Sequence, residues 1–159
     1  MGPLLVNYKD LSALTLSGTN KSRAVVGAPI QILQVGFIVT TALTGSTATV
    51  TWNICLASGA DAAPVGDGAL GATTSTSATQ AINTGVYLDV PAVAGNRIVY
   101  PGEAVEAEVT DTASAGVVTP FFVYAPLGFG NQDLRANVSG HAGSTTHATA
   151  LAALTSVIA

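Results

Sequence analysis

Glu106 and Glu108 stand two residues apart in the run Glu103-Ala104-Val105-Glu106-Ala107-Glu108-Val109. In an extended strand that spacing puts both carboxylates on one face at about 7 Å, a separation that invites comparison with a glycosidase acid pair. Such pairs normally come from different strands, and no aromatic platform accompanies these two. The expected reading is therefore a solvated outer strand face whose charges discourage sheet-to-sheet association. His141 and His147 are the two histidines. A catalytic zinc typically takes three protein ligands, and no carboxylate lies between or beside them in sequence, so no metal site is expected. Gly66-Asp67-Gly68-Ala69-Leu70-Gly71 has the glycine spacing that cradles a dinucleotide phosphate. No strand runs into it and no good helix former follows, and Asp67 would repel a phosphate, so a glycine-rich loop is expected.

The remaining chemistry is equally thin. Asp61 and Asp67 fall short of the six or more oxygens a calcium cage requires. Ser139-Gly140-His141-Ala142-Gly143-Ser144 has no nearby acid to orient the histidine for nucleophilic catalysis. Cys55 is the single cysteine, which excludes an intramolecular disulfide and a thiolate metal cluster. No catalytic residue, metal or cofactor is expected, and the chain does not read as an enzyme.

Only nine acids and five bases occur in 159 residues, giving a formal charge of -4. Nucleic-acid binding needs clustered Lys and Arg, and is not expected. The charge is unevenly placed: residues 1–23 carry Lys9, Lys21 and Arg23 against Asp10, whereas residues 61–111 carry seven carboxylates against Arg97. A basic N-terminal segment suits docking on an acidic partner. The start, Met1-Gly2-Pro3-Leu4-Leu5-Val6, shows no targeting pattern. The most apolar stretches, 119–129 and 147–159, are shorter than the roughly 20 residues of a membrane-spanning helix, so no membrane partner is expected.

The elements that must position these residues read as strands. Val50, Trp52, Ile54 and Leu56 alternate with Thr51, Asn53 and Cys55, the period of two of a half-buried strand, with Trp52 in the core. Residues 30–41 are rich in β-branched types, and the short loop 42–47 predicts a hairpin with the strand at 50–56; Gly36 marks a bulge or a close backbone approach. Arg97 to Tyr100, the turn Pro101-Gly102 and Ala104 to Thr110 form a second block, followed by a strand over 119–124. A strand is predicted at 85–90 and weaker ones at 12–16 and 23–26. Residues 57–83, crowded with Gly, Ala, Ser and Thr, predict a long excursion. The sum is an all-β chain: an antiparallel β-sandwich, jelly-roll-like, with extended N- and C-terminal arms. The expected division is an arm over 1–23 containing a short strand, a sandwich domain over 24–130, and a C-terminal arm or short helix over 131–159. Leu151, Leu154 and Ile158 recur there at about helical spacing, with no charged outer face, and call for cover by another subunit or protein.

The stretch Arg97-Ile98-Val99-Tyr100-Pro101-Gly102-Glu103-Ala104-Val105-Glu106-Ala107-Glu108-Val109-Thr110-Asp111, with Phe121-Phe122-Val123-Tyr124-Ala125-Pro126, resembles the strand-turn-strand blocks of tailed-bacteriophage head decoration, or cement, proteins. The resemblance implies a homo-oligomeric β-rich protein, a trimer ahead of a dimer, made in the host cytoplasm and seated on the outer capsid surface of the virion. There it would clamp neighbouring major capsid proteins, and it would carry no catalytic residues. Lys9, Lys21, Arg23, Leu151, Leu154 and Ile158 are the expected partner contacts. The alternative is a carbohydrate- or receptor-binding β-sandwich of a virion fibre or adhesin, which requires exposed aromatics; Tyr87 is the one near the long excursion.

Overall fold

Alternating apolar side chains build two facing sheets. The structure is a computed structural model that describes residues 6–57, 64–90, 97–111 and 115–127. In chain order the strands are β1 (Asn7–Asp10), β2 (Leu14–Thr15), β3 (Gly18–Val25), β4 (Ile30–Thr44), β5 (Thr49–Leu56), β6 (Pro64–Thr74), β7 (Gly85–Asp89), β8 (Ile98–Val99), β9 (Glu103–Asp111) and β10 (Ala115–Pro126). No helix occurs among the described residues. Sheet A runs β1-β10-β4-β7, with β2 on β10 and β8 on β4; sheet B runs β3-β9-β5-β6. All pairings are antiparallel. Apart from β5 to β6, the chain passes from one sheet to the other between successive long strands, which is the jelly-roll form of the expected antiparallel sandwich.

The core lies between the sheets. Ile32, Val35, Phe37 and Val39 of β4 share it with Val50, Trp52 and Ile54 of β5 and with Val105 and Val109 of β9. Along β4 the buried positions switch from even to odd numbers after Ile32. The register explains the switch: Tyr124 pairs with Ile32 and Val123 with Gln34, so Leu33 is an extra residue and the pleat changes phase there. Trp52 is fully buried, and its indole nitrogen donates to Thr73 Oγ1 at 3.2 Å, leaving the indole N–H satisfied inside the core.

Three expectations change. The segments at 30–41 and 50–56 do not form a hairpin. Both edges of β4 are taken, by β10 on one side and β7 and β8 on the other, while β5 lies between β6 and β9. Pro101-Gly102 likewise turns the chain across from β8 in sheet A to β9 in sheet B rather than reversing it within one sheet. Glu103 N donates to Tyr100 O at 3.0 Å, Gly102 has φ of +90°, and the Glu103 carboxylate accepts from Tyr100 N at 2.8 Å. The excursion at 57–83 contains β6, whose small residues are held by pairing with β5 from Thr49↔Thr74 to Cys55↔Pro64. Of residues 1–23, the expected arm with a short strand, the described part 6–23 carries β1, β2 and most of β3; the expected C-terminal arm over 131–159 lies outside the described residues.

Gly36 is a close approach and not a bulge. A Cβ there would lie 2.4 Å from Val86 O and 2.8 Å from Phe121 Cζ.

Candidate functional site

Sheet B positions the charged residues. On β9, the central strand between β3 and β5, Glu106 sits opposite Arg23 on one side and Asn53 on the other. Its carboxylate pairs with Arg23 Nε and lies 3.7 Å from Lys21 Nζ, which also reaches Glu108 at 3.5 Å. The shared face of Glu106 and Glu108 holds, but the solvated setting does not: Glu106 is 2% exposed, because flanking strands cover both its sides. Cys55 lies on this face too, with Sγ 3.9 Å from both Glu106 Oε2 and Ala104 O. Burial first, and then the neighbouring Glu106 carboxylate, push its thiol pKa up, so it is held as the neutral, weakly nucleophilic form. Glu106 is committed to ion pairs and the thiol to its proton, an arrangement that stabilises strand packing.

The expected contact residues separate. Lys21 and Arg23 come together on β3 in this network, while Lys9 is on β1, at the opposite sheet's edge, paired with Phe122. Leu151, Leu154 and Ile158 lie outside the described residues, as do His141, His147 and Asp61. The glycines of the phosphate-loop pattern fall within β6, an edge strand of sheet B. Among the described residues no group of three His, Cys, Asp or Glu could hold a metal, and no helix is long and apolar enough to cross a membrane.

The outer face of sheet A carries a feature that local sequence reading misses. Directly paired residues share a face, so the register sets out two rows across four strands: Asp10, Phe121, Gly36 and Tyr87, beside Tyr8, Val123, Gln34 and Asp89. The absent side chain at Gly36 lets the Phe121 ring lie across the sheet. Tyr8 leans on Phe121 with ring centroids 5.2 Å apart and a 30° tilt, which helps to bury Phe121 while Tyr8 stays 51% exposed. Tyr87, at the far end of the row, is 65% exposed. Three strand spacings separate β1 from β7, about 14 Å. Polar groups frame this platform: the Tyr8 hydroxyl donates to Asp10 Oδ1 at 2.6 Å and Gln34 Nε2 donates to Asp89 Oδ1 at 2.8 Å. Burial and the adjacent Asp10 carboxylate raise the Tyr8 pKa to about 12. The one signal available beforehand was Gly36 within a strand; that Tyr8 and Phe121 meet depends on a pairing of distant segments.

A cleft opens where β1 and β3, the edge strands of the two sheets, face each other. It encloses about 390 Å³ and is lined by Asn7 and Lys9 on one side, with Ala24, Val26, Phe122 and Tyr124 among its walls.

No family model and no curated protein matches the chain.

Proposed function

We propose that this chain is a non-catalytic structural protein of a virion, which binds the outer capsid surface and ties neighbouring major capsid proteins together. It acts as a homo-oligomer, a trimer ahead of a dimer, the trimer preference coming from the resemblance of residues 97–126 to phage cement proteins. The observation that carries the reading is the outer face of sheet A, where exposed Tyr8 and Tyr87 stand on the two edge strands with Val123 and the largely buried Phe121 ring between them. Contiguous exposed apolar patches mark contact surfaces, and each Å² buried supplies about 25 cal/mol. Two such contacts per subunit, or one per subunit in an oligomer, are enough to bridge neighbours. The jelly-roll connectivity supports the reading by analogy, since viral capsid and lectin domains use it.

The test is binding to capsids stripped of decoration proteins. Saturation at a fixed ratio to the major capsid protein, with raised resistance of the capsid to heat or chelation, is expected. Failure to bind any such capsid overturns the proposal.

A second reading is favoured by the same face. Two exposed tyrosines framed by Asp10, Gln34 and Asp89 suit stacking and hydrogen bonding to sugar rings, as in a carbohydrate- or receptor-binding module. Saturable glycan binding that is lost on Tyr87→Ala, without capsid binding, selects this reading instead.

A further inference from the structure

We propose that the cleft between β1 and β3 binds a free amphipathic monoanion, a carboxylate on an aliphatic body, and that this binding does not depend on the assembly role. The cleft's volume, about 390 Å³, lies within the range of roughly 300–1,000 Å³ typical of small-molecule sites. Such sites are apolar with a few placed polar groups, and this lining has that composition. Val26, Ile30, Phe122 and Pro126 offer an apolar wall, which the Phe122 and Tyr124 rings extend, their centroids 5.5 Å apart.

The polar end comes from β1. Lys9 and Asn7 are two apart on that strand, pair with Phe122 and Tyr124, and so project on the core side of sheet A at its open edge. Lys9 is exposed, and among the described residues it is the one cation with neither an ion pair nor a hydrogen bond. Lys21 and Arg23 are committed to Glu106 and Glu108, and the Arg97 guanidinium donates to the Gln31 side-chain oxygen. Among the described residues no Asp or Glu lines the cleft, and Asp10, the next residue along, is on the opposite face accepting the Tyr8 hydroxyl. In a chain of net charge -4, the cleft is thus a local positive site beside an apolar wall. One cation at the rim and one short apolar channel complement one carboxylate on one alkyl chain: the chain leaves water along Val26, Ile30 and Phe122, and the headgroup meets Lys9 Nζ.

Calorimetric titration of the full chain with sodium octanoate, and with octan-1-ol as its neutral counterpart, tests the assignment. One octanoate per chain is expected. Lys9→Ala, at an exposed position outside the core, should weaken octanoate by about tenfold, as loss of a charge-assisted hydrogen bond does, and leave octanol unchanged. Gly27 lines the cleft, and a Cβ there would meet nothing within 4 Å, so Gly27→Leu adds apolar bulk at the cleft from a position with open space around its first side-chain carbon. That variant should lose both ligands while keeping its melting temperature. Absence of octanoate binding, octanoate binding indifferent to Lys9→Ala, or binding that persists in Gly27→Leu overturns the proposal. So does Lys9-dependent capture of the protein on phosphatidylglycerol vesicles without octanoate binding, which would assign the cation to a membrane surface.

Discussion

Glu106 is tolerable inside sheet B because Arg23 and Lys21 both compensate its charge. Removing one partner of a buried ion pair leaves the other uncompensated, which is costlier than the pair itself is stabilising. Arg23→Ala should therefore lower the unfolding free energy by about 3 kcal/mol in urea titrations, with Lys21 softening the loss. Glu106→Gln, which removes the buried charge, should cost less. Tyr8 supplies a pH signature. Its pKa rises to about 12 in the fold, so the neutral phenol is favoured there. The stabilisation is complete below the ordinary tyrosine pKa near 10 and is lost as pH climbs towards 12. Phenolate absorbance should contain a component near pH 12 from Tyr8, and Tyr8→Phe should remove that component. At this scale the alternation along β9 correctly placed Glu106 and Glu108 on one face. The burial of Glu106 was not legible, since it depends on β3 and β5 flanking β9, and residues 18–25 and 49–56 carry no local mark of that arrangement.

Strand existence was legible wherever β-branched and aromatic residues alternate, as at 50–56 and 104–110, because a pleat has a period of two. Partner choice was not. The alternation of β4 and β5 says which side of each is apolar, and two strands facing one another across a core satisfy it as well as two strands side by side. β6 was hidden by its composition: Gly and Ala, which strands disfavour, run through it, and its order comes from the ladder with β5. Gly36 is the clearest element-level test. With Val86 O at 2.4 Å from its absent Cβ, a side chain requires β7 or the Phe121 ring to move. Gly36→Ala should lower stability by roughly 2 kcal/mol, the scale of overpacking, and should loosen the aromatic row; thermal melting checks the first and near-ultraviolet circular dichroism the second. An unchanged melting temperature would mean that β7 yields freely.

At the scale of the molecule, the jelly roll distributes its surfaces by chemistry. The outer face of sheet B is occupied by its own ion pairs, the edge between β1 and β3 opens into a cleft, and the outer face of sheet A presents aromatic side chains to solvent. The scarcity of charge in the sequence pointed to uncharged surface in the long excursion and the C-terminal tail, and that tail lies outside the described residues; among the described residues, Tyr8 and Tyr87 are the exposed large hydrophobic side chains on the strands of sheet A. The proposed assembly role makes one residue decisive. Tyr87 is exposed, at the edge of the sheet, and outside the core, so Tyr87→Asp should leave folding intact while placing a charge in the proposed contact. The direct measurement is co-sedimentation with capsids stripped of decoration proteins. The account predicts saturable binding of the wild-type chain at a fixed stoichiometry and about tenfold or greater weakening by Tyr87→Asp at an unchanged melting temperature, as expected for an aromatic hot spot. Equal binding by the variant, or no binding by the wild type, would contradict it.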